Sequence, residues 1–181
     1  MLRRSGCLAA IATLATAAHA ADGVRPEATT VIDEGRPLLA KLVGRWTLSG
    51  TIRGKPTVHA VRAVPSLQGN YVRIEERSRE RDPQGRPVYE ATIFVGWNSR
   101  TGTYVCTWLD STEVETGDVS CVAHPAANAM PFVFRDGSGN AVIATTFTYH
   151  PSSDRWEWAI DNVQGDRRTT FARLTLSRTA K

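Results

Sequence analysis

From residue 46 onward, hydrophobic and polar positions alternate in short runs. Trp46, Leu48, Gly50 and Ile52 fall on one face, with Thr47, Ser49, Thr51 and Arg53 on the other. That period of two is the mark of a half-buried strand. Further runs of strand character cover 57–64, 71–81, 88–97, 103–110, 117–123, 130–135, 142–149, 155–162 and 167–178. Turn chemistry separates them: Gly54-Lys55-Pro56, Pro65, Asp82-Pro83-Gln84-Gly85, Asn98 to Gly102, Asp136 to Asn140, His150 to Asp154, and Gln164-Gly165-Asp166. The run 88–97 is apolar on both faces, so its parity is not fixed by pattern. Ten short strands without intervening helices predict an all-β antiparallel sandwich or barrel. Closure into a barrel would remove the exposed edges.

A single helical stripe precedes the strands. Leu38, Leu39, Leu42 and Val43 share one side, with Asp33 as a candidate N-cap, Pro37 in the first turn and Gly44 as the stop. At the junction stands Gly44-Arg45-Trp46, which suggests an indole plugging one end of a closed barrel. The fold class expected is thus an antiparallel β-barrel of about ten strands with one short N-terminal helix.

The first twenty residues read as a signal peptide. Arg3 and Arg4 precede a short apolar run, and Ala18-His19-Ala20 is a small-x-small cleavage signal. The run is shorter than the roughly 20 residues a spanning helix needs. The expected organisation is signal peptide 1–20 with cleavage after Ala20, flexible leader 21–35 and barrel domain 36–181, in a periplasmic or secreted protein. Cleavage removes two arginines and no acid, leaving 20 basic and 18 acidic residues. Arg77, Arg79 and Arg81 alternate with Glu75, Glu76, Glu80 and Asp82, so no basic track suited to nucleic acid stands out. Strands with charges on one face also argue against a membrane barrel, whose outer band is apolar.

Two cysteines remain, Cys106 and Cys121. An even count in an exported chain reads as a disulfide. If the strands around them fold into one hairpin, the two sulfurs face each other. No His or further Cys stands at ligand spacing, and no metal site is expected.

Together with Leu67-Gln68-Gly69-Asn70-Tyr71 and Gly96-Trp97-Asn98, followed by Gly102, Tyr104 and Trp108, the segment Leu42-Val43-Gly44-Arg45-Trp46 resembles a bacterial family. It is the lipocalin-like domain-of-unknown-function 1579 family, with a calycin-type barrel. The resemblance spans residues 36–178 and speaks to fold more than to activity. It implies that Trp46 is covered by an arginine of the last strand, Arg173 or Arg178, in a structural role.

Aromatic residues repeat at alternate positions. Tyr104, Trp108 and Asp110 share one strand face; so do Phe147 and Tyr149, and so do Trp156, Trp158 and Ile160. Turned inward with Trp97, they would line a cavity for a small apolar or amphipathic ligand, Asp110 orienting it near a rim. Ten strands enclose more room than the eight that side chains just fill. Binding is therefore favoured over catalysis, and no cofactor is expected. Three alternatives stay open. Glu90 and Asp110 could meet as an acid/base pair. His150 could be an axial haem ligand, as in nitrobindin-like barrels, which the chain resembles in architecture. Rim loops 111–116 or 124–128 could bind an envelope protein over a solid core.

Overall fold

The computed structural model describes residues 37–112 and 119–179. The expected signal peptide 1–20, the expected leader 21–35 and most of the rim segment 111–116 lie outside the described residues. Helix α1 (Pro37–Leu42) leads into ten strands: β1 (Gly44–Ile52), β2 (Lys55–Ser66), β3 (Tyr71–Ser78), β4 (Glu90–Asn98), β5 (Thr103–Asp110), β6 (Ser120–Ala123), β7 (Ala129–Arg135), β8 (Ala141–His150), β9 (Arg155–Gln164) and β10 (Arg167–Arg178). Each strand pairs antiparallel with its sequence neighbours, and β1 also pairs with β10. The result is the closed barrel expected, consistent with a calycin-like fold.

Short connections produce this meander. Arg53 and Gly54 both have positive φ (49° and 74°), so Ile52 and Lys55 pair directly across a two-residue turn. The strand therefore starts at Lys55, two residues before the expected 57. Nor does Pro65 end β2. It pairs with Val72, and the strand continues to Ser66. At the other end, β3 stops at Ser78, short of residue 81, although Arg81 makes an isolated antiparallel bridge to Pro87. There the chain leaves the sheet for a turn in which Asp82 accepts hydrogen bonds from the backbone of Gln84 and Arg86 and from the Arg86 guanidinium.

Closure depends on glycine where β1 meets β10. Gly50 has φ +149°, and a Cβ there would sit 2.1 Å from the Arg173 carbonyl oxygen. That oxygen belongs to backbone and has little freedom to move aside, so any side chain at this point would force the two strands apart.

Inside the barrel, alternate residues of every strand form one continuous core. Leu48, Val72, Ile93, Met130, Phe132, Trp156, Trp158 and Leu176 are each at most 2% exposed. Register fixes parity where the sequence left it open. Val95 pairs with Cys106 and Ile93 with Trp108, so Ala91, Ile93, Val95 and Trp97 turn inward and Thr92 and Phe94 face out.

Cys106 and Cys121 are directly opposed in the β5–β6 ladder, with Cα atoms 4.9 Å apart, and form a disulfide. It anchors β6, the shortest strand at four residues. Closing this loop should contribute about 3 kcal/mol. Reduction is expected to lower the urea midpoint by a corresponding amount, and the Cys106→Ala, Cys121→Ala double variant should show the lowered midpoint with or without reductant.

Candidate functional site

The two ends of the barrel differ in construction. At one end α1 lies across the opening, with Leu38, Leu39 and Leu42 buried against the core. Its C-terminal carbonyls, which have no partner within a helix, are taken by side chains of the barrel. Trp46 Nε1 donates to the Leu42 oxygen at 2.7 Å, and Trp156 Nε1 to that of Lys41 at 3.4 Å. The Arg178 guanidinium donates to the Val43 and Lys41 oxygens at 2.7 and 3.3 Å. It also lies 3.8 Å above the Trp46 ring, a cation–π contact worth about 0.5–2 kcal/mol.

Of the two arginines offered by the sequence, Arg178 is the one that covers Trp46. Its Cα partner is Trp46 itself, whereas Arg173 pairs with Thr51 on the outer face and binds Asp161 at 2.6 Å. Residues five apart on a strand point to opposite faces, so both could not serve. Beside this stack, glycine suits position 44: its φ of +145° is one that L side chains rarely adopt, and a Cβ there would meet Arg178 Nη1 at 2.1 Å and push the guanidinium from its place. Asp154 completes the lid. It accepts from Arg178 Nε at 2.9 Å and from the Tyr149 hydroxyl at 3.0 Å. The Arg178 hydrogen bond holds the Asp154 carboxyl below the usual range despite the opposing effect of burial.

All eight residues proposed as ligand contacts do turn inward, but they do not form one site. Trp97, Tyr104, Tyr149 and Trp156 lie at the helix end as two pairs, with ring centroids 4.9 Å apart for Trp97–Tyr104 and 5.0 Å for Tyr149–Trp156. Phe147 stacks on Trp158 at 4.5 Å in the middle, and Trp158 reaches Trp108 at 5.3 Å. Trp158 Nε1 donates to the buried Thr145 hydroxyl at 2.7 Å. These rings therefore meet one another, and Trp156, Trp158 and Tyr149 hydrogen-bond within the protein. Tyr149 and Trp156 hold the lid.

The opposite end is built differently. Ile52, Tyr89, Trp108, Phe134 and Ile160 point inward there and are only partly buried. They form the apolar layer of this end of the barrel, the mouth. Below it sits a polar cluster. His59 Nδ1 and Glu76 Oε1 are 2.5 Å apart, each side chain 3% exposed, and His59 Nε2 meets the Thr57 hydroxyl at 2.7 Å. Glu76 Oε2 is buried and has no hydrogen-bond partner in the protein. The Tyr89 ring lies 5.7 Å from that of His59, and its hydroxyl donates to Asp110 at 3.4 Å. Burial, then the Glu76 and Asp110 carboxylates, push the Tyr89 hydroxyl far above the usual phenol range. Asp110 also accepts from the Thr112 backbone at 2.8 Å and from its hydroxyl at 2.5 Å.

Asp110 thus stands at the rim as the sequence suggested, but its proposed companion does not. Ala91, not Glu90, shares the inward face opposite Asp110, and Glu90 points outward to Arg77 at 3.0 Å. The Glu90–Asp110 acid/base pair is corrected on parity. His150 is likewise outside: Tyr149 takes the inward position, and His150 sits half-exposed 3.3 Å from Glu157. It cannot reach the interior as a haem ligand. Among the described residues, no group of three or more His, Cys, Asp or Glu side chains is placed to hold a metal ion. The rim segments separate as well. Ser111 and Thr112 border the mouth, whereas 124–128 lies at the helix end, where Asn128 accepts from the Tyr149 backbone.

Sequence reasoning missed His59 and Glu76. The signal was present, because each occupies the apolar parity of its strand. His59 shares a face with Val61 and Ala63, and Glu76 with Val72 and Ile74. Partnership between them could not be read from one chain, since it needs the register that places Val61 beside Glu76 and His59 beside Ser78.

No family model and no curated protein matches this chain.

Two outcomes are expected from this geometry. His59→Leu leaves a buried carboxylate unpaired and should cost about 3–5 kcal/mol in urea unfolding, while the double variant His59→Leu, Glu76→Leu should recover much of it. Asp154 contributes stability above its unfolded pKa of about 3.9, and that contribution is lost as pH falls through its lowered folded value. The gap in urea midpoint between wild type and Asp154→Asn should therefore be full near neutrality and close in acid.

Proposed function

We propose that this protein binds a small amphipathic molecule at the mouth opposite α1. One observation carries the reading. The helix end is covered by a hydrogen-bonded lid, with Val43 and Trp97 the partly buried apolar residues beside it, whereas five inward-facing apolar side chains at the other end are partly exposed with no such cover among the described residues. Concave apolar surface with a few placed polar groups is the usual composition of a small-molecule site. Trp108 is the central contact, with Phe134 6.1 Å from it and Trp158 behind it. Asp110, Tyr89 and the buried His59–Glu76 pair would meet the polar part of the ligand.

The site is thus smaller than the aromatic lining expected from sequence. Trp46, Arg178, Tyr149 and Trp156 are assigned to the lid. Trp97 and Tyr104 are assigned to packing at the same end. Export to the periplasm or beyond belongs to the same reading, supported by the tripartite N-terminal pattern and by a disulfide of the kind that persists in oxidising compartments. Kinship with the lipocalin-like family named above is retained as a proposal on the shared motifs and the closed barrel.

A neutral apolar dye such as N-phenylnaphthylamine tests the reading. It should brighten on mixing with the protein and quench tryptophan emission. Trp108→Phe should remove most of the quenching, and Trp156→Phe should leave it. A dye that stays dark with the wild type, or quenching lost only with Trp156, would overturn the assignment of the mouth and favour a solid core with an interaction role for the rim.

A further inference from the structure

Within the mouth, polar groups are strongly biased towards acceptance. Among the described residues, two carboxylates, Glu76 and Asp110, face the interior, accompanied by one basic side chain, His59. His59 is engaged on both ring nitrogens, by Glu76 and by Thr57. One carboxylate oxygen, Glu76 Oε2, has no protein donor although the residue is only 2% exposed. A buried charged acceptor without a donor is costly, so such groups are normally paired. The neighbouring rings add an attraction of the same sign. The faces of Trp108 and Tyr89 carry negative quadrupoles, which favour a cation over an anion.

Resting on the mouth as the binding site, we infer that its ligand carries a protonated amine on an apolar body. The ammonium would donate to Glu76 Oε2 and Asp110, and the body would lie against Trp108 and Phe134. Glu76 on β3 and Asp110 at the end of β5 lie in one row across the sheet, on either side of Ala91 on β4, so an ammonium above Ala91 would have a carboxylate on each side. Basic residues also stand at this end of the barrel. Arg86 is held by Asp82 at 2.8 Å, Arg77 by Glu90 at 3.0 Å, and Arg53 lies 5.1 Å from the centre of the Phe171 ring; Lys55, Arg81, Arg167 and Arg168 are solvent-exposed, where salt screens them.

Titration calorimetry of the full mature chain with octylamine, octanol and octanoate, chains of one length with three heads, tests this. Octylamine should bind about tenfold or more tighter than octanol, the scale of one charge-assisted hydrogen bond, and octanoate more weakly than either. Glu76→Gln, which keeps an oxygen for His59, should bring octylamine close to octanol. Asp110→Asn should reduce the preference as well, and it carries the test should Glu76→Gln fail to fold. Equal binding of octylamine and octanol to the wild type, tighter binding of octanoate, or a preference that survives the substitutions would overturn the inference and leave the mouth as a binding site. Absence of binding by all three probes would remove the binding reading itself.

Discussion

The ladder between β1 and β10 is the contact on which the rest depends. β1 already pairs with β2, so its second ladder turns a ten-stranded ribbon into a closed wall. Every backbone donor of an edge then has somewhere to go, and every strand residue is committed to the inside or the outside. The approach is close enough that Gly50 must lack a side chain. Closure also brings the last strand beside the first, which is how Arg178 comes to lie on Trp46 despite a separation of more than a hundred residues. Without that ladder neither the lid nor a distinct mouth would exist.

Chemistry divides the two ends. At the helix end, indole and guanidinium donors terminate α1, and Asp154 holds the guanidinium in turn. Aligned helix dipoles favour a cation at a C-terminus, which adds to the same contacts. A helix of only six residues is marginal by itself, so its place must come from these tertiary bonds and from Leu38, Leu39 and Leu42. The mouth has no such closure among the described residues. Its rings are left partly exposed above polar groups that a purely structural core would have little reason to hold.

A buried ion or polar pair is weak evidence for stability, because desolvation offsets most of the attraction. His59 and Glu76 occupy positions where leucine or valine would fill the same space at less cost. Their presence beneath an apolar layer, with one oxygen unpaired, is the observation on which the proposed ligand binding rests.

Much of this was legible in the chain itself. Period-two alternation, turn chemistry and a lone helical stripe are local properties, and they predicted ten strands, the helix, the hairpin that brings the two cysteines together, and which aromatic residues share a strand face. Where the alternation is ambiguous, in residues 88–97, sequence does not decide, and the Glu90–Asp110 alternative needed the parity opposite to the one the register sets. Which residues meet is a different kind of fact. The choice of Arg178 over Arg173, the division of the aromatic stripe between lid and mouth, and the meeting of His59 with Glu76 all depend on inter-strand register. Register is set by the whole closed sheet at once, and no single strand carries it.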